Sequence, residues 1–193
     1  MLARALLCPA FMFATIIAGV FVWTFVEYVI HRWLGHDRRF TRRSSFGHEH
    51  VEHHAKINHF SKASLKLAFF VLASVVVAPL AVLALGLGDG LAFSVALLGS
   101  YVVYEVIHRL MHVSGGIGPY ARMLRRHHFF HHFHDPKKNF GVSSPLWDIL
   151  LGTWVRPARV GRIAVPRKLA MPWLFGADGA QRDRFVGDYE LRS

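Results

Sequence analysis

Three long apolar runs limit most severely how this chain can fold, and two of them end directly in histidines. Residues 5–30 carry a single charge, Glu27, and run straight into His31. Ala63–Leu87 carries one charge, Lys66, near its start, where a lysine can reach up to the interface. After Gly86, Gly88, Asp89 and Gly90, the third run goes from Leu91 to about Ile107 and closes on Glu105, His108, Arg109 and His112. Uncharged stretches of this length cross a bilayer as helices, which satisfy their own backbone groups in lipid. The glycine-rich turn makes the second and third runs a transmembrane hairpin. Arg4 before the first run is also how a signal peptide begins. The run is too long for one and no small-x-small cleavage site closes it, so it reads as the first span.

The charge balance supports a membrane setting. The chain has 193 residues, 53% of them hydrophobic, and a formal net charge of +11. In a soluble protein that surplus would suggest nucleic acid. Beside these runs it marks the cytoplasmic face and anionic membrane lipids instead, and no nucleic-acid partner is expected. Residues 31–62 contain Arg32, Arg38, Arg39, Arg42, Arg43, Lys56 and Lys62, and the chain after His108 is also rich in Lys and Arg. The turn at 86–90 has neither, and the N-terminus has only Arg4. Three spans with the N-terminus outside put both basic segments in the cytoplasm, and both histidine clusters with them. Cys8 is the single cysteine, which excludes an intrachain disulfide and a cysteine-rich metal site.

The histidines follow a repeated pattern. His50, His53 and His54 form H-x-x-H-H, and so do His128, His131 and His132 within Arg125–His134. Positions i, i+3 and i+4 share a helix face, and neutral imidazoles on one face are metal ligands. Glu27-Tyr-Val-Ile-His31-Arg32-Trp-Leu-Gly-His36 is matched by Glu105-Val-Ile-His108-Arg109-Leu-Met-His112. Each closes an apolar run and each precedes an H-x-x-H-H box. The chain thus holds two similar units of five histidines that are expected to meet at one site. Ten imidazoles exceed the needs of one transition ion and suit two. His108 and His112 are one helical turn apart. His31 and His36 are five apart, about 140° round an ideal helix, so the helix is expected to end or unwind there, which Gly35 permits.

Glu27 and Glu105 lie one turn before His31 and His108. They are placed to fix a ligand's tautomer through its second nitrogen, or to pair with Arg32 and Arg109. His48, His59, His127 and His134 fall outside the pattern and are expected at the surface or in support of the ligands. The sequence has neither the Glu-x-x-His pairs of carboxylate di-iron bundles nor the H-E-x-x-H of zinc proteases. Residues 114–119 read as a loop, Tyr120–His134 as a helix, and Leu146–Trp154 as a short interfacial or re-entrant helix. After Arg156 the chain is basic and punctuated by Pro and Gly. Trp173, Leu174 and Phe175 are expected to pack it onto the rest, with contact at the membrane interface as the alternative.

The boxes H-x(4)-H, H-x-x-H-H, H-x(3)-H and H-x-x-H-H around apolar spans resemble the fatty acid hydroxylase/sterol desaturase superfamily. Asn139-Phe140-Gly141-Val142-Ser143-Ser144-Pro145-Leu146-Trp147-Asp148, ending in Gly152-Thr153, is similar to the N-F-G-V-x-S-x-x-W-D-x-x-x-G-T signature of fatty acid 2-hydroxylases. The resemblance covers about Glu27 to Thr153. It departs after the second box, where Ala55–Phe60 lacks a proline.

The resemblance implies an all-α, multi-pass membrane bundle of about three spans plus interfacial helices, with a cytoplasmic histidine-rich metal site. Residues 1–155 would be the hydroxylase-like domain, and 156–193 a basic cytoplasmic tail, packed on it or partly flexible. The implied activity is di-iron hydroxylation of a C–H bond in a lipid acyl chain, with O2 and electrons from a separate donor. That donor would be a ferredoxin or a small haem protein with its reductase, since no haem is expected in this chain. One ion would be held by His31, His36, His50, His54 and His131, the other by His53, His108, His112, His128 and His132. Glu27, Glu105, Asn139 and Asp148 would support these ligands, and zinc can substitute for iron. A carotenoid or sterol hydroxylase or desaturase is an alternative within the superfamily. A non-catalytic zinc-binding membrane protein is the alternative outside it. A transporter is disfavoured by spans that are apolar through their middles.

Overall fold

A computed structural model describes residues 9–116 and 118–193, without the side chains of 157 and 158. Arg4, Cys8, the start of the first apolar run and Ile117 of the expected loop lie outside the described residues. The chain is mostly helical, and three helices are long and apolar enough to cross a membrane. They are α1 (Pro9–Val29), continued by a π-helical turn over Ile30–Gly35, α4 (Ala63–Leu85) and α5 (Leu87–Val113). Between the first two lie the short α2 (Arg38–Thr41) and α3 (Ser45–Ala55). After α5 come α6 (Pro119–Phe133), α7 (Leu146–Leu150), α8 (Pro157–Val160), β1 (Ile163–Pro166), α9 (Asp183–Val186) and β2 (Tyr189–Arg192).

The chain divides into two compact units. One comprises the residues up to Phe25 together with Ser61–Val103. Its exterior is apolar: Leu72 is 65% exposed, Val95 71% and Leu83 84%. Such a surface suits hydrocarbon, not water. Inside, Trp23 meets Tyr101 edge-to-face at 5.3 Å. The hairpin turn is shorter than the sequence suggests. Gly86 alone reverses the chain, at φ +84°, and Gly88-Asp89-Gly90 already form the first turn of α5. Asp89 suits that position because a helix N-terminus favours negative charge.

The other unit comprises Val26–Phe60 and Tyr104–Ser193 and carries all the histidines. Its helices begin where the sequence supplies caps. Asp37 accepts the Arg39 amide at the start of α2, and Ser44 accepts the Gly47 amide at the start of α3. Pro119 opens α6, where its missing N–H costs nothing. α7 is shorter than the expected 146–154 because the chain folds back on Asp148, whose carbonyl takes the Thr153 and Trp154 amides.

The segment after Arg156 is built into this unit. β1 and β2 pair in parallel, Ile163 opposite Tyr189, the little strand the described residues contain. Ile163, Val165, Met171, Trp173, Leu174, Phe185 and Tyr189 form one core with Phe129 and Phe130 of α6. Trp173 and Leu174 therefore pack inward. The Trp173 indole donates to the His112 carbonyl at 2.7 Å, and the buried Arg125 guanidinium lies 4.2 Å over its ring. Trp173→Ala is expected to destabilise the protein by about 3–5 kcal/mol, as large-to-small core changes do. Thermal unfolding in detergent measures this, and an unchanged midpoint would show that the tail is only loosely attached.

Candidate metal centre

The ten patterned histidines converge in two groups. One contains His31, His36, His50, His54 and His131, the other His53, His108, His112, His128 and His132. In each, one nitrogen per residue lies within 4.8 Å of all the others. The two boxes divide their histidines. On α3, His50 and His54, at i and i+4, serve one group while His53 turns to the other. On α6, His128 and His132 serve the second group while His131 turns to the first. Each group thus takes two histidines from a span end, two from the box that follows it, and one from the opposite box.

The π-helical turn makes the span ends equivalent. Its i→i+5 hydrogen bonding overlays residues five apart, so His36 sits above His31 as His112 sits above His108 in an ordinary α-turn. The helix widens where the sequence suggested unwinding. Gly35 serves space rather than termination, since a Cβ there would lie 2.9 Å from the His50 ring. Ring separations repeat across the groups. His31–His36 is 5.2 Å and His108–His112 is 5.1 Å. His36–His131 is 4.5 Å and His112–His53 is 4.6 Å. His54–His131 is 4.9 Å and His53–His132 is 4.8 Å. The corresponding pair His54 and His132 stack on each other at 4.1 Å.

The donor set fits metal ions. His128 Nε2 lies 3.0–3.1 Å from Nε2 of His108, His112 and His132. A ring nitrogen offers one lone pair or one proton, so three such contacts cannot all be hydrogen bonds. Two imidazole nitrogens about 2.0–2.1 Å from one ion, at right angles, are about 3 Å apart. In the other group His50 Nε2 is 2.8 Å from His36 and 3.1 Å from His54, and the buried His31 Nε2 has no hydrogen-bond partner. Three tautomers follow from backbone carbonyls, which can only accept. His31 Nδ1 donates to Phe140, His53 Nδ1 to His59 at 2.8 Å, and His131 Nδ1 to Lys138 at 2.8 Å. Each of these rings therefore presents an unprotonated Nε2 inward.

The model of the fatty acid hydroxylase family matches residues 16–153. The chain belongs to that family. It is 32% identical over 148 residues to a dihydroceramide fatty acyl 2-hydroxylase of Arabidopsis thaliana, covering 72% of this chain and 59% of that protein. It is 34% identical over 155 residues to a fatty acid 2-hydroxylase of Mus musculus, covering 72% of this chain and 39% of that protein. A solved structure, full-length scs7p with only its hydroxylase domain visible, is 28% identical with a TM-score of 0.60. That likeness covers 77% of this chain and 58% of the other. The chain thus spans less than two thirds of the length of these relatives. Family membership and three apolar helices make it a membrane protein, and its two histidine groups could each hold a metal ion.

In this family member three of the four expected supporting residues, Glu27, Asn139 and Asp148, brace the loop beside the ligands rather than the ligands themselves. Glu27 does not fix the His31 tautomer, because the Phe140 carbonyl takes that proton. Glu27 is buried and accepts the Val142 amide, the Ser143 amide at 2.8 Å and the Ser143 hydroxyl. Asp148 accepts the Phe140 amide at 2.8 Å, the Gly141 amide at 2.7 Å and the Thr153 hydroxyl at 2.7 Å, and pairs with His127 at 3.1 Å. Asn139, at φ +57°, is bracketed to Val155 through its Oδ1 at 2.6 Å and Nδ2 at 3.0 Å. Together these hold residues 138–143, whose carbonyls orient His31 and His131. Glu105 is half-buried on α5, one turn before His108.

Of the remaining histidines, His127 is fully buried against Asp148 and His48 is exposed. His59 bonds Glu49 at 3.0 Å and supplies the carbonyl for His53, while His134 accepts the Ala164 amide at 3.0 Å. No sequence pattern marks a backbone carbonyl, so the three that set tautomers were invisible beforehand.

Burial holds the imidazoles neutral. It lowers His36 from 6.5 to about 4, and, with neighbouring histidines, lowers His54 to about 2. His50, His128, His131 and His132 are pushed well below the ordinary value by the same causes, burial foremost. Burial would raise Asp148, but hydrogen bonds from His127, Thr153 and Gly141 hold it below the usual carboxylate value. The unfolded chain binds protons on these histidines from about pH 6.5 downward and the folded chain does not, so acid favours unfolding. The metal-free protein is expected to keep its full stability above pH 6.5 and lose it as pH falls towards 4. Melting temperatures across that window measure the effect, and a flat profile would contradict burial of neutral imidazoles. Asp148→Ala strands two amides, a hydroxyl and a buried histidine, and is expected to cost about 3 kcal/mol or more in the same melts.

Proposed function

We propose that the protein is a membrane hydroxylase that inserts oxygen into a C–H bond of a lipid acyl chain at carbon 2, the position in the relatives' names. The observation that carries this reading is the pair of five-imidazole groups, one ring nitrogen of each residue turned towards the others, on a chain of this family. His31, His36, His50, His54 and His131 would hold one iron ion, and His53, His108, His112, His128 and His132 the other. Bound there, the ions would supply oxidising power that no amino-acid side chain has: overall, one atom of O2 would enter the C–H bond and the other would leave as water, taking two electrons from a separate donor and two protons from solvent.

The chain's own part is binding, orientation and exclusion of water. The carbonyls of Phe140, His59 and Lys138 keep three imidazoles in the tautomer a metal needs. Burial favours the unprotonated form of His36, His50, His54, His128, His131 and His132 at neutral pH, so protons do not compete for their lone pairs. Six of the ten rings are under 10% exposed, and Phe60, Phe129 and Phe140 line the site, which limits water around it. The arginines and lysines of 31–62 and of the chain after His108 support a site on the cytoplasmic side, within reach of a soluble donor.

Metal analysis of protein purified under iron-replete conditions, with mass spectrometry of lipids from cells with and without it, tests the reading. Iron and 2-hydroxylated acyl chains are expected. Tightly held zinc with no oxygenated lipid, even with a reducing partner supplied, would favour a non-catalytic zinc protein. His128→Ala is expected to lose one of two metals per chain and all product, whereas His134→Ala retains both metals. Two metals retained in His128→Ala would break the ten-ligand assignment.

A further inference from the structure

We propose that a cationic cleft beside His36 binds the anionic polar end of the acyl substrate, a carboxylate or a phosphate. This rests on the hydroxylase reading above and narrows its substrate. The cleft has a volume of about 430 Å³, and Gly35, His36, Arg38, Arg42, His48 and Glu52 are among its lining residues. That is the size of a small-molecule site, not of a flat docking face. His36 belongs to both the cleft and the first histidine group, so a molecule seated there lies against that group.

The charges of the cleft are open to a ligand. Arg39, the neighbour outside it, is occupied by Asp37 at 2.6 Å. Arg38 and Arg42 have no carboxylate partner among the described residues, and both are exposed. Their placement follows from the sequence. Asp37 caps α2, and residues 38 and 42, four apart at its two ends, come to the same side. The one acid of the lining, Glu52, is engaged by Lys56 at 2.8 Å. Two unpaired guanidinium forks match the planar carboxylate or the oxygens of a phosphate.

The reaction site explains why the polar end belongs here. Carbon 2 is bonded to the acyl carbonyl carbon. Hydroxylation there brings the polar end of the lipid to within a few bonds of the metals, whereas hydroxylation further along the chain would hold it far away. A cationic cleft that shares a wall with a metal-group histidine meets that demand for an anionic head. A neutral head would give the guanidinium pair no charge to bind.

Binding to the protein in non-ionic detergent, followed by calorimetry, tests this independently of turnover. The probes are octanoate, dioctanoyl phosphatidic acid and, as the neutral control, dioctanoylglycerol. At least one anionic probe is expected to bind more tightly than dioctanoylglycerol, and the tighter of the two identifies the head as carboxylate or phosphate. The double variant Arg38→Gln/Arg42→Gln is expected to weaken that probe by about tenfold or more while leaving dioctanoylglycerol unchanged. Arg43→Gln, which removes a nearby charge outside the cleft, should bind as wild type. Equal binding of the neutral probe, an unaffected double variant, or equal weakening by Arg43→Gln would overturn the proposal, the last by showing diffuse attraction only. If the wild type forms hydroxylated lipid but fails these binding criteria, the cleft is wrong and the hydroxylase reading stands. If the criteria are met but no lipid is ever hydroxylated, the hydroxylase reading fails and the anion site remains.

Discussion

Ten imidazole rings with their Nε2 atoms aimed at one another are the interaction on which the rest of the second unit depends. Ring nitrogens crowded at 2.8–3.2 Å cannot all pair by hydrogen bonds, and burial removes the water that would otherwise satisfy them. Such an arrangement persists only if the rings are held from outside. For three rings, His31, His53 and His131, the holding group is a backbone carbonyl, which fixes ring direction and proton position in one bond. A carboxylate in the same place would add a charge beside a buried site. A carbonyl adds none.

Those carbonyls must themselves be rigid, and the buried acids serve that end. Glu27 and Asp148 each gather amides from residues 140–143, where side-chain oxygens replace a regular hydrogen-bond ladder. Charge-assisted bonds to amides are stronger than neutral ones, so an irregular loop acquires the stiffness of a secondary-structure element. Tyr28 extends the bracing: its hydroxyl meets Thr153 at 3.0 Å and receives Arg32 at 2.7 Å. Thr153 in turn bonds Asp148. The stretch from Asn139 to Thr153 is therefore one connected frame, with the first helix at one side and the His127 ring at the other.

The sequence made parts of this legible and hid others for physical reasons. Apolar run lengths locate the spans because lipid admits few alternatives to a helix. Histidine spacing locates the boxes because a helix face repeats at three and four residues. Side-chain chemistry does not reveal which carbonyl a ring will find: the spacing leaves Glu27 open to His31 or Arg32, whereas the Phe140 carbonyl takes the His31 proton and Glu27 takes the amides of Val142 and Ser143. The spacing leaves His127 either at the surface or in support of the ligands, because its role depends on Asp148, 21 positions away. The tail carried no motif, yet Trp173 and Tyr189 complete the core beneath α6. Packing of that kind depends on shape, which composition does not encode.

The different spacings of the first and third boxes now have a common explanation. H-x(4)-H and H-x(3)-H look like two motifs, but a π-turn absorbs the extra residue and brings both pairs to ring separations of 5.2 and 5.1 Å. The likeness extends to the exchanged histidines. His53 and His131 are the i+3 members of their boxes. Each crosses to the opposite group, and each is held by a carbonyl from the chain just beyond its own helix, His59 and Lys138. Neither half can assemble five donors alone, because its fifth is lent by the other. The groups are therefore linked through two rings that are neighbours in sequence to members of the opposite set, His53 beside His54 and His131 beside His132. Rotating either helix to improve one group would pull a donor from the other. The stacked pair His54 and His132 lies where such a rotation would be felt first, which makes the two groups one mechanical unit.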